Sequence, residues 1–188
     1  MTLSPDRADY HNLFLDRDGV INQRLPGAYV QDPRQFTFLP GVVEALHTLR
    51  AVFSRIVVVT NQQGIGKGLM TEQQLQVVHY YMRMHLAEAG IELDGIYWCP
   101  ELASKPGNCR KPDPALAYQA RADWPDIEFS QSIMVGDSRS DIEFGARLNM
   151  LTVLVETKTE EQEQWATIAD LIHYRCSSLW AFAKWWCA

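Results

Sequence analysis

Leu13-Phe14-Leu15-Asp16-Arg17-Asp18-Gly19 is the stretch that decides how this chain folds: an apolar run stops at two carboxylates one residue apart, followed by glycine. A run this short suits a strand buried on both faces, and Asp and Gly suit the turn that leaves it. The same arrangement recurs downstream. Ile56-Val57-Val58-Val59 runs into Thr60-Asn61-Gln62-Gln63-Gly64, and Ile133-Met134-Val135 into Gly136-Asp137-Ser138. Leu151-Thr152-Val153-Leu154-Val155 is a fourth run, and Gly95-Ile96-Tyr97-Trp98 a weaker fifth. Helical spacing fills the gaps. Val42, Ala45, Leu46 and Leu49 follow Pro40-Gly41, and Thr71 to Gln74 has the pattern of a capping box ahead of Leu75, Val78, Met82 and Leu86. Pro112 and Pro114 suit the opening of a helix through Leu116 and Tyr118, and Ser138 suits the cap of one carrying Ile142 and Ala146. Such alternation predicts an α/β fold, a Rossmann-like three-layer αβα sandwich around a mostly parallel sheet. One domain, residues 1–188, is expected. No long insertion lies between Asn22 and Thr60, and only a modest loop around Cys99 lies between Thr60 and Asp137, so no large cap domain is expected.

Composition narrows the function. The 188 residues are 47% hydrophobic and 21% charged, a globular balance. A formal net charge of −6 disfavours a nucleic-acid partner. Met1 to Arg7 has no apolar leader core, and no apolar run approaches the roughly 18–20 residues of a membrane span. The expectation is a cytoplasmic protein without a membrane partner. Cys99, Cys109, Cys176 and Cys187 read as thiols or metal ligands rather than a disulfide framework, with Cys176 and Cys187 packed as small hydrophobes. His11, His47, His79, His85 and His173 lack metal-ligand spacing and read as surface or packing residues. Two loops break the alternation, Asn22 to Gln35 and Pro100 to Lys111, and loops of that length are often functional. Ser177 to Trp186 reads as a last helix packed on the sheet, its tryptophans leaving either a monomer or a homodimer open.

Asp16 and Asp18, Thr60 and Asn61, and Asp137 with Asp141 each follow a predicted strand. In open α/β sheets ligands bind beyond the carboxyl ends of the strands, where strand order reverses, so residues far apart in sequence can meet there. Two carboxylates so close repel unless a cation sits with them, and Mg²⁺ prefers such oxygens. Arg110 and Lys111 can bring positive charge to the same crevice. Each piece alone also fits a turn or a helix cap; their ordered recurrence after strands is the signal.

Asp16-Arg17-Asp18-Gly19, Thr60, Lys111 and Gly136-Asp137-x-x-x-Asp141 resemble the four motifs of the haloacid dehalogenase superfamily of phosphatases, over about Leu13 to Val155. The flanking Val20-Ile21-Asn22, Gln62-Gln63-Gly64-Ile65-Gly66-Lys67-Gly68 and Cys109-Arg110-Lys111-Pro112 resemble the branch containing heptose-bisphosphate and histidinol phosphatases. The resemblance implies a Mg²⁺-dependent phosphomonoesterase for a small phosphorylated metabolite. Its first choice is D-glycero-D-manno-heptose 1,7-bisphosphate, losing the 7-phosphate. Histidinol phosphate, another sugar phosphate, or a non-catalytic metal- or phosphate-binding module are the alternatives. It implies Asp16 as nucleophile, Asp18 as general acid and base, and Thr60, the Asn61 backbone and Lys111 on the phosphoryl oxygens. Metal ligands would be Asp16, the Asp18 carbonyl and Asp137, with Asp141 orienting Lys111 or a metal-bound water. Asn22, Arg24, Asn61, Gln62 and Arg110 would contact substrate, Arg110 at a distal phosphate. Gln23, Gly27 and Tyr29 share the first loop, and Lys67 sits among glycines where an anion could reach it.

The chain departs from its relatives twice. Many carry a structural zinc on a Cys-x-His and a Cys-x-Cys pair; here Glu101 stands at the His position and Gly107 at a Cys position, which predicts no zinc and two remnant cysteines. Some place a Lys after the metal-binding Asp, where this chain has Ser138.

Overall fold

The computed structural model describes residues 6–188; Met1 to Pro5, part of the stretch read for a leader, lie outside the described residues. Six strands, β1 (Asn12–Leu15), β2 (Arg55–Asn61), β3 (Gly95–Cys99), β4 (Ser132–Gly136), β5 (Leu151–Val155) and β6 (Tyr174–Cys176), form one sheet in the order β3-β2-β1-β4-β5-β6. Every pairing is parallel. Six α-helices alternate with them: α1 (Val42–Arg50), α2 (Glu72–Glu88), α3 (Ala115–Asp123), α4 (Arg139–Arg147), α5 (Gln162–Ala166) and α6 (Leu179–Trp186).

The two-residue period of a strand sorts the apolar runs onto two faces. Leu13, Leu15, Ile56, Val58, Ile133, Val135 and Val153 pack with α1, α2 and α6 through Leu46, Val78, Met82, Phe182 and Trp186. Phe14, Val57, Val59 and Met134 point the other way, onto Leu116, Ala117 and Ala120 of α3 and Phe144 of α4. Trp165 of α5 joins that second face beside Ile142 and Leu154. Chain from β1 steps outward to β3 over one face, then returns to β4 and steps the opposite way over the other, as right-handed crossovers require. Neighbouring β1 and β4 therefore mark the reversal of strand order, and the crevice beyond their carboxyl ends is the natural ligand site.

Of the predicted elements, all five strands and all five helices form. Thr71 and Gln74 close the expected capping box, and Pro114 ends the turn before α3. β6 is an addition: Tyr174-Arg175-Cys176 is short, lies at the sheet edge, and shows no apolar run. Among the described residues no helix is long and apolar enough to cross a membrane. The cysteine reading needs correction. Cys99 and Cys109 are joined as a disulfide, closing a loop of sequence separation 10 from the end of β3. Cys176 is buried as expected, but Cys187 is exposed because α6 ends just before it.

Candidate active site

Strand pairing carries Asp16 to the crevice: its N–H donates to Val135 O at 2.9 Å, continuing the β1–β4 ladder one residue past β1. Asp137 follows β4 directly and is buried. Oxygens of Asp16, Asp137 and Asp141 lie within 4.8 Å of one another, although 16 and 137 are distant in sequence. Gly19 makes this approach possible. Its φ of +97° is left-handed, and a Cβ there would stand 2.0 Å from Asp137 Oδ2. Thr157, unmarked in the sequence reading, donates from Oγ1 to Gly19 O at 2.8 Å and to Asp137 Oδ2 at 3.3 Å.

Lys111 is the cation at the floor. Its Nζ reaches Asp16 Oδ1, Asp141 Oδ1 and Val59 O, each at 2.6 Å, with the side chain only 1% exposed. Burial works against its charge, but Asp141 and Asp16 overcome that and raise its pKa. The Lys111 backbone is clamped by Asn61, whose Oδ1 accepts from Lys111 N at 2.9 Å and whose Nδ2 donates to Lys111 O at 3.2 Å. Asp141, ion-paired to Lys111 through Oδ1, accepts at its other oxygen from Ser138 N at 3.0 Å at the start of α4. Gly136 lets that helix start come close, since a Cβ there would meet Asp141 Cβ at 2.2 Å.

Carboxylates outnumber the cation here. Burial, then repulsion from Asp16 and Asp141, pushes Asp137 well above the ordinary carboxylate range. Asp16 is raised to about 6, by burial first and by Asp141 and Asp18 next, with Lys111 opposing. This excess of close, buried oxygens suits a hard divalent ion.

Asp18 has a different environment. Both its oxygens accept from Arg17 Nη2, at 3.0 and 2.9 Å, and it accepts from Asn22 Nδ2 at 3.0 Å and Gln62 Nε2 at 2.8 Å. Burial would raise its pKa, but the Arg17 guanidinium and these donors hold it below the ordinary value. Asn22 therefore does not stand on the cavity wall as a substrate contact; it is fully buried behind Asp18. Gln62 lines the cavity, yet its amide is also spent on Thr60 Oγ1 at 2.9 Å.

The cavity holds about 370 Å³ and is lined by Asp16, Asp18, Thr60, Lys111 and Asp137. Its lining is also basic, with Arg24, Lys67, Arg110 and Lys158. Arg24 is engaged by Glu160 at 2.5 Å and by Asp137 at 3.6 Å. Arg110 Nη1 is buried and has no partner among the described residues, which leaves one of its donors unspent. Lys67 lies 5.6 Å from the ring centroid of Tyr29, another lining residue. On the Pro100–Lys111 loop, Glu101 is bound to Cys109 N at 2.8 Å and to Lys105, while the disulfide occupies both sulfurs.

Comparison with known proteins agrees with this geometry. A family profile described as HAD-hydrolase-like matches residues 108–182. The chain is 50% identical over 131 residues, 70% of its length and 69% of the relative's, to D-glycero-alpha-D-manno-heptose-1,7-bisphosphate 7-phosphatase of Mycobacterium tuberculosis (strain CDC 1551 / Oshkosh). It is 38% identical over 175 residues, covering 85% of this chain and 92% of the other, to D-glycero-beta-D-manno-heptose-1,7-bisphosphate 7-phosphatase of Salmonella typhi. A crystal structure of D,D-heptose 1,7-bisphosphate phosphatase from B. bronchiseptica, complexed with magnesium and phosphate, superposes with a TM-score of 0.82 at 29% identity, over 93% of this chain and 97% of that one. With the carboxylates, the lysine and the strand order all in the places the motifs demand, the chain belongs to the haloacid dehalogenase-like phosphatases, in the group of the heptose-bisphosphate enzymes.

Proposed function

We propose that this chain hydrolyses the 7-phosphate of D-glycero-manno-heptose 1,7-bisphosphate through a phosphoryl-Asp16 intermediate. The observation that carries the reading is the meeting of Asp16, Asp137 and Lys111 at the reversal of strand order, with Asp18 facing the same cavity. Asp16, the Asp18 carbonyl and Asp137 would hold Mg²⁺, which when bound offsets the repulsion between nucleophile and phosphate. Asp16 then attacks phosphorus, and the bond from phosphorus to the sugar oxygen breaks. Asp18 delivers a proton to that departing oxygen. An arriving phosphate dianion raises the proton affinity of Asp18, supplying the protonated form that its resting environment disfavours. In the second half-reaction Asp18 takes a proton from water, whose oxygen attacks phosphorus and frees the Asp16 carboxylate. Lys111 and the Thr60 hydroxyl hold the transferring oxygens, by placement and charge.

The basic lining suits a second phosphate, with Arg110 Nη1, which has no partner among the described residues, as its first donor and Lys67 in the same cavity. The 50% identity to the α-named relative, against 38% to the β-named one, supports the α-1-phosphate as the preferred anomer. Phosphate release from both anomers with Mg²⁺ tests the reading. Asp16→Asn should abolish turnover while circular dichroism stays unchanged; turnover near the unsubstituted rate would remove Asp16 from its role.

A further inference from the structure

We propose that His79, on helix α2, is a positioning residue for Asp18: it fixes the Arg17 guanidinium that in turn fixes the Asp18 carboxylate. The proposal rests on the acid–base role given to Asp18 above.

Arg17 is fully buried, directly behind the carboxylate that must exchange protons with substrate and water. A guanidinium has donors in a rigid plane and no acceptor, so its orientation is set by whatever accepts from it. Nη2 spans both oxygens of Asp18. Nη1 lies 3.0 Å from His79 Nε2. Two acceptors on opposite arms of one plane define its tilt; with only Asp18, the plane could pivot about that contact and carry the carboxylate with it.

The histidine is built to accept. Arg17 can only donate, so Nε2 must offer its lone pair and the proton must sit on Nδ1. Burial, then the Arg17 charge, pushes His79 down to about 3, which keeps the ring neutral at working pH. The imidazole meets Trp98 edge-on with ring centroids 5.6 Å apart. Its neighbours Val78 and Met82 sink into the core that α2 shares with the sheet. A rigid element thus reaches the proton-transfer group through two side chains. Asn22 and Gln62 hold Asp18 from other sides, so His79 acts on its angle rather than its presence.

The experiment compares two leaving groups. An alkyl ester needs a proton as it leaves, whereas p-nitrophenolate departs without one, so loss of acid catalysis lowers kcat/KM on the first far more than on the second. D-glycero-D-manno-heptose 1,7-bisphosphate and β-glycerophosphate serve as alkyl esters beside p-nitrophenyl phosphate. Failure of the unsubstituted protein on the heptose alone refutes the substrate and leaves the test to β-glycerophosphate. Asp18→Asn should show the leaving-group bias; equal loss on both ester types refutes the acid–base reading and this proposal with it. His79→Phe keeps a flat ring beside Trp98 without the acceptor. It should lose about tenfold to a hundredfold in kcat/KM on the alkyl ester, as small misplacements do, and at least tenfold less on the aryl ester. His79→Gln, which restores an acceptor, should recover most of the loss. Uniform loss on both esters for His79→Phe, with Asp18→Asn still selective, would overturn the role of His79 alone. The unsubstituted protein gives a reading independent of any variant's folding. Imidazole ¹⁵N shifts should show a neutral Nδ1–H ring at pH 7, and an Nε2–H or doubly protonated ring would overturn the proposal.

Discussion

The proposed mechanism asks two tasks of Asp16, ligand and nucleophile, and its surroundings set the pH at which it could perform either. With its pKa at about 6 against the ordinary 3.8, protonation favours the folded ion-free chain: this group adds stability as pH falls from about 6 toward 4. Mg²⁺ requires the ionised form, so its apparent affinity should fall about tenfold for each pH unit below 6. Asp137, raised too, steepens that fall. The rise in melting temperature produced by Mg²⁺ should therefore shrink as pH drops through 6, and an increment independent of pH between 5 and 7 would contradict the assignment. That Asp16, Asp18, Lys111 and Asp137 would line one crevice was legible because each stands at a fixed place beside an apolar run or a proline. Asn22 was read as a substrate contact and is instead buried behind Asp18, since where an amide donates depends on folding. His79 was hidden for a similar reason: its spacing in α2 reveals only a packed face, and its partner comes from a turn 62 residues earlier.

Among the elements, the loop between β3 and α3 carries the greatest functional load for its size. It delivers Arg110 and Lys111 to the cavity, anchored by Asn61 at one end and by the Cys99–Cys109 disulfide in its middle. Closing a loop of separation 10 removes unfolded-state freedom worth roughly 2–3 kcal/mol. Cys99→Ser combined with Cys109→Ser should lower stability by about that amount in urea unfolding. It should also raise KM more than it lowers kcat, because the loosened span begins next to Arg110. An unchanged midpoint would show that noncovalent contacts alone hold the loop. Sequence spacing could not reveal this bond: four cysteines allow several pairings, and the family pattern pointed to a depleted metal site. β6 escaped notice because an edge strand of three residues needs only one buried side, here Cys176.

At the scale of the whole molecule, the sheet and its two helical layers hold the site at one edge and lend it Thr60 and Asn61 from the end of β2 and Asp141 from α4. α6 closes the first layer: Trp186 stacks on Phe53 and Phe182, each with centroids 5.9 Å away, and meets Tyr10 edge-on at 5.7 Å. Trp186→Ala should cost about 3–5 kcal/mol in denaturant titration while leaving KM unchanged. A matching loss of substrate affinity would mean that this face communicates with the crevice. The three-layer architecture was readable throughout, because apolar runs and helical stripes alternate with little interruption.

That architecture sets no separate cap over the strand ends among the described residues, leaving the loops after β1 and β2 to wall the cavity, and this has a bearing on chemistry. If Asp16 carries the phosphoryl group as proposed, it does so buried at the foot of a loop-walled cavity of about 370 Å³, and whatever takes that group must first enter there. Room of that size admits water and a small alcohol alike, so a solution rich in glycerol should divert a share of the group from water to the alcohol.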